Sequence, residues 1–209
     1  MRDFTVQELT ATMQSHGMVV FEDESRPFNV NCVAVRNQHD PRENAFDDAY
    51  YVFYMQEGEW VKHRYTVTTD PGTHWKVRPM HRDGAAAIAE GQYRGAYQLG
   101  YHGRGNWRHR ALVQAGMVSA YRDNNKDAKY DYVPATITTY GAWAGLNQHK
   151  AFLNQKALRV DKWSAGCIVW EDPNAHTHFI NLLESAARQW GNSFTLTMLN
   201  SRMIERAAA

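Results

Sequence analysis

Val160-Asp161-Lys162-Trp163-Ser164-Ala165-Gly166-Cys167-Ile168-Val169-Trp170 sets a cysteine directly after a small Ala-Gly pair and directly before an apolar run that reads as a strand. Glycine lets the backbone turn tightly and approach another group closely. The peptide N–H groups of Ala165, Gly166 and Cys167 can then converge on one point. A thiol beside converging donors is the arrangement acyl transfer needs, a nucleophile with an oxyanion hole. His149 lies eighteen residues upstream, in Leu146-Asn147-Gln148-His149-Lys150. A thiol is mostly protonated near neutral pH and needs a base or a positive neighbour to form thiolate. We read Cys167 as a catalytic nucleophile and His149 as its base, against the bland alternative of an inert core cysteine.

Working outward, the segments around this turn are short and mostly strand-like. Thr5-Val6-Gln7-Glu8 has the form of a capping box, and Val6, Leu9 and Met13 follow at helical spacing, which predicts a helix over 5–16 ending near Gly17. Strands are predicted over 18–21, 28–35, 49–55, 60–68, 85–88, 95–101, 111–114, 117–121, 137–139 and 194–199, with Glu57-Gly58-Glu59 as a hairpin turn. Thr69-Asp70-Pro71-Gly72 breaks the pattern. Pro173 to Trp190 carries apolar residues at helical spacing and stops at Gly191-Asn192. The sum is a mainly β fold with one helix at each end. Its expected divisions are an N-terminal helix and lead-in (1–27), a catalytic domain (28–200) and a frayed tail (201–209).

The 209 residues are enough to bury a core without disulfides, and 23 basic against 22 acidic residues give no global pull toward nucleic acid or membrane. Neither is expected as a partner. Only two cysteines are present, and Cys32 sits in a strand-like run where a thiol serves as a small hydrophobe. A Cys32–Cys167 bridge would consume the proposed nucleophile. Met1-Arg2-Asp3-Phe4 shows no secretory signal, and no apolar run reaches membrane-spanning length.

Ser164-Ala165-Gly166-Cys167, with His149 at that spacing, resembles the catalytic signature of the L,D-transpeptidase family, which carries a Ser-His-Gly-Cys turn. Val67 to Trp75 is similar to that domain's Thr-Pro-x-Gly-x-aromatic segment with one residue inserted. Asn29 to Arg36, Phe46-Asp47-Asp48 and Tyr121-Arg122-Asp123, with the Thr-Asp-Pro-Gly segment and the Trp-Ser-Ala-Gly-Cys turn, resemble a phage- and bacterium-borne branch of the family, so the likeness spans roughly 28–199, with the cysteine region its only specific part. The resemblance implies an L,D-transpeptidase-like β-sandwich acting on peptidoglycan stem peptides through a Cys167 thioester. His149 would take the thiol proton and return one to the leaving amine, oriented by the backbone carbonyl of Lys150. Resolution by an amine cross-links; resolution by water cuts. The family's second histidine is Ala165 here, so its side chain must be replaced by another group. His102 is the candidate, against the reading of a surface hairpin histidine.

Ser164 either orients the histidine or a substrate carbonyl, or caps the turn. Arg122 is an ion-pair partner of Asp123 or Asp127, or a planar fork for a stem-peptide carboxylate. Trp163, like Trp143 and Trp170, lines a groove or packs in the core. Asp123 to Asp131 departs from a calcium loop at Ala128 and Pro134 and reads as an Asx-rich turn. His176 and His178 are two apart on a helix and point different ways. No metal and no cofactor are expected. A monomer made in the cytoplasm without a signal peptide, reaching the wall by phage release or virion delivery, is the expected setting. The alternative is a catalytically weak cell-wall-binding or virion structural module that keeps the turn for shape.

Overall fold

The computed structural model describes residues 1–207. In chain order the elements are α1 (Val6–Ser15), β1 (Asn31–Arg36), β2 (Asp48–Gln56), β3 (Glu59–Thr68), α2 (Thr73–Val77), β4 (Ala85–Ile88), β5 (Gly91–His102), β6 (His109–Gln114), β7 (Val118–Asp123), β8 (Thr138–Tyr140), β9 (Gln148–Lys150), β10 (Ile168–Trp170), α3 (Pro173–Trp190), β11 (Phe194–Asn200) and α4 (Ser201–Ala207). Eight strands close into a barrel in the order β1-β11-β5-β6-β9-β10-β3-β2, and β4-β7-β8 form a separate small sheet. The fold is mainly β, as expected, but its principal sheet is a closed barrel where the resemblance implies a sandwich. Closure follows from two parallel pairings, β1 with β11 and β9 with β10, which join edges that antiparallel hairpins alone would leave open.

Two cores lie on opposite faces of β1, β2 and β11. One joins Tyr50, Val52, Leu112, Trp170, Leu196 and Met198 to Phe179, Ile180 and Leu183 of α3. The other joins Val33, Val35, Ala49, Tyr51, Phe53 and Leu199 to Val6, Leu9 and Met13 of α1 and Ile204 of α4. All six residues of β1 are buried, so its apolar stretch Cys32–Val35 runs on without alternation between the polar Asn31 and Arg36. The capping box of α1 is formed: the Glu8 N–H donates to Thr5 Oγ1 at 3.2 Å and the Thr5 N–H to Glu8 Oε2 at 2.8 Å.

Three local expectations are corrected and one helix is added. Residues 18–21 are not a strand, because side-chain amides take the place of a ladder. Gln92 exchanges hydrogen bonds with the backbone of Val19, and Asn31 with that of Phe21. The first strand of the barrel begins at Asn31 rather than 28, since Phe28 has φ 62°. Thr73–Val77 forms a short helix that the sequence reading did not include, directly after Pro71-Gly72. The expected tail is helical over Ser201–Ala207, with Ile204 fully buried; 208–209 lie outside the described residues. Among the described residues no helix is long and apolar enough to cross a membrane.

Candidate active site

Cys167 ends a turn that the surrounding chain holds on three sides. The buried Ser164 hydroxyl donates to the Cys167 carbonyl at 2.8 Å and accepts the Gly166 N–H at 3.2 Å. Gly166 has φ 143°, and a Cβ there would meet the Ala86 Cβ at 2.7 Å, so only glycine fits. The Gly72 N–H donates to the Ser164 carbonyl at 2.9 Å, and the Ala86 N–H to that of Ala165 at 3.3 Å. A Cβ on Gly72 would lie 2.1 Å from the Asp161 carbonyl oxygen. The Thr-Asp-Pro-Gly segment and β4 are thereby clamped against the turn.

β9 and β10 bring His149 and Cys167 onto the wall of one cleft. Their parallel register sets Val169 opposite His149, and Cys167, two residues before Val169, continues the same face. His149 is almost wholly buried, and its Nδ1 lies 2.9 Å from the Lys150 carbonyl oxygen. A carbonyl only accepts, so Nδ1 carries the proton and the Nε2 lone pair is left as the basic nitrogen. Burial, then the neighbouring His102, hold the His149 pKa well below the ordinary imidazole value, so the ring is neutral. Burial likewise pushes the Cys167 thiol up to about 11, partly opposed by the Asn147 backbone N–H. The resting pair is thiol and imidazole, with Sγ–H directed to the Gly145 carbonyl at 3.4 Å.

His102, at the end of β5, stacks on the His149 ring with centroids 3.9 Å apart and planes 10° from parallel. Its tautomer follows from Asn147. The Asn147 Oδ1 accepts the Gln114 N–H at 2.9 Å, so its Nδ2 donates to His102 Nδ1 at 3.1 Å. Burial lowers the His102 pKa to about 4, with a further push from His109. The neutral ring therefore carries its proton on Nε2, as a hydrogen-bond donor at the site.

A cleft of about 590 Å³ holds these groups: Cys167, His149, His102, Ala165, Gly166 and Trp163 all line it. Trp163 packs between Trp107, 5.6 Å away, and Phe152, 4.5 Å away. Lys150 is not in the cleft wall and acts through its carbonyl on His149. Ser164 touches neither His149 nor the cleft and serves as the turn cap. Of the three turn N–H groups, that of Gly166 is committed to Ser164, leaving those of Ala165 and Cys167 as the candidate oxyanion donors. Arg122 pairs with neither Asp123 nor Asp127; it bonds Tyr140 and Gly84 beside the cleft. Trp170 is core, whereas Trp143 is 74% exposed.

Sequence reasoning missed Trp75, Met80 and Trp107 as cleft residues. Trp107 stands edge-on to both His102 and His149 at 5.2 and 5.8 Å. Its only local sign is the glycine-rich Gly103-Arg104-Gly105 before it. Asp123 to Asp131 is a run of Asx turns: the N–H groups of Asn125, Asp127 and Lys129 each bond the carboxamide or carboxylate two residues back. His176 is buried while His178 Nδ1 meets the Tyr65 hydroxyl at 2.8 Å. Among the described residues no three His, Cys, Asp or Glu side chains are grouped to hold a metal, and both cysteines are free. Comparison with family models, curated proteins and solved structures returns no match to this chain.

Proposed function

We propose that this chain is a cysteine acyltransferase or peptidase of the L,D-transpeptidase kind, acting on peptidoglycan stem peptides. The observation that carries the reading is a shared cleft: Cys167 and His149 both line it, and the Lys150 carbonyl leaves the Nε2 of His149 free to take a proton. Cys167 Sγ attacks a peptide carbonyl as its proton passes to His149 Nε2. The developing oxyanion faces the Ala165 and Cys167 N–H groups, and the His102 Nε2–H stands in for the side chain that Ala165 lacks. His149 then gives its proton to the departing amine, leaving a thioester that water or a second amine resolves.

Purified sacculi incubated with wild type and with Cys167→Ala test this. The wild type changes the muropeptide profile; the variant folds normally and yields no product. An unchanged wild-type profile would end the enzymatic reading for this substrate. Delivery to the wall by phage release or in a virion belongs to the same proposal.

A second reading, a weak cell-wall-binding or structural module, draws support from the raised thiol pKa and the Gly166 N–H already committed to Ser164. Equally slow alkylation of Cys167 and Cys32 by iodoacetamide would favour it.

A further inference from the structure

We propose that the Cys167 cleft continues into an anion subsite built on Arg122, so that its ligand carries a carboxylate beyond Ala165 from the reacting carbonyl. The inference rests on the acyl-transfer reading and names the substrate chemistry within it. A second cavity of about 180 Å³ adjoins the first, with Trp75, Met80, Ala144, Leu146 and Ala165 lining both. Arg122 and Trp143 belong to the second alone. Ala165 contributes only a methyl group to the space where the two meet. A larger side chain at 165 would narrow it.

Arg122 is half-buried, and everything that holds it is uncharged. Its Nε donates to the Tyr140 hydroxyl at 2.8 Å, one terminal nitrogen to the Gly84 carbonyl at 3.0 Å, and its guanidinium lies 4.5 Å from the Tyr140 ring centroid. The acidic neighbours face elsewhere. Asp123 accepts the Asn125 and Asp131 N–H groups, and Asp127 accepts that of Lys129. His81, also in the cavity wall, pairs with Asp83 at 3.5 Å. Among the described residues Arg122 thus has no counter-ion, and its second terminal nitrogen makes no hydrogen bond. A guanidinium fixed by neutral partners at a cavity wall presents a fork suited to a carboxylate.

The test uses a synthetic stem tetrapeptide and a series in which each carboxylate is amidated in turn. Affinities are measured by calorimetry on the full chain carrying Cys167→Ala. Amidating one particular carboxylate is expected to weaken binding about tenfold or more. Arg122→Gln removes that discrimination and Arg122→Lys keeps part of it. Should Arg122→Gln fail to fold, the amidation series on the unaltered arginine decides alone. Binding that no single amidation changes beyond about twofold would overturn the subsite while leaving the cysteine chemistry intact. So would absence of binding in a protein that processes sacculi. Discrimination without any muropeptide product would keep the subsite and remove the acyl-transfer reading; loss of both would remove both.

Discussion

Ser164 illustrates how a motif serine can be spent on the backbone. Its hydroxyl bonds the Gly166 N–H and the Cys167 carbonyl together, so it shapes the turn and also withdraws one of three candidate oxyanion donors. Cys167 itself is not a resting thiolate. Its raised pKa, about 11, and the lowered pKa of His149 share one cause, the burial of both groups. The thiolate fraction, and with it the alkylation rate, therefore climbs steadily from pH 7 toward pH 10. Iodoacetamide should show that climb at Cys167 with no plateau near neutrality. Cys32, 2% exposed and pushed up to about 12, should remain unlabelled while the protein is folded. A plateau below pH 7 would identify a preformed thiolate–imidazolium pair and refute the neutral resting state.

Elements announced themselves in the sequence where their signals were local. The capping box of α1, the Glu57-Gly58 turn of the β2–β3 hairpin, and Pro173 and Gly191 at the two ends of α3 are decided within a few residues. β9 is different: Gln148–Lys150 is polar and three residues long, and it is a strand only because β10 and β6 pair with it. Cys167 and His149 stand out by type and spacing, and Trp75 closes the Thr-Pro-x-Gly-x-aromatic likeness, but Trp107 reaches the cleft from the short 3-10 turn Gly105–Trp107 with no motif to mark it. α4 escaped for a related reason. Its alanine-rich end suggests fraying, yet Ile204 is fully buried with Leu9 and Val35, a contact that depends on α1 being in place. Ile204→Ala should accordingly cost about 2–5 kcal/mol, the range for truncating a buried branched side chain, read from urea unfolding. A loss under about 0.5 kcal/mol, the range for exposed positions, would mean that α4 does not dock in solution.

At the scale of the molecule, a buried cation ties the barrel to the Cys167 turn. Arg36, 1% exposed at the end of β1, bonds Asp70 at 2.9 Å, Glu90 at 3.2 Å and the Ile88 carbonyl at 2.9 Å. Asp70 precedes Pro71 and Gly72, whose N–H holds the Ser164 carbonyl, and Ile88 ends β4, whose Ala86 holds Ala165. One side chain therefore braces both supports of the Cys167 turn. Arg36→Met should cost about 3 kcal/mol, because it strands Asp70 and Glu90 without their counter-charge. Asp70→Asn in the same chain should return part of that stability by removing one stranded charge. Activity should not return with it, since the Thr69–Gly72 segment still lacks the guanidinium that fixed its place. Urea unfolding and muropeptide release, both measured well below the unfolding transition, separate the two effects. If the double variant regains activity in step with stability, Arg36 supports the fold as a whole and has no distinct hold on the turn.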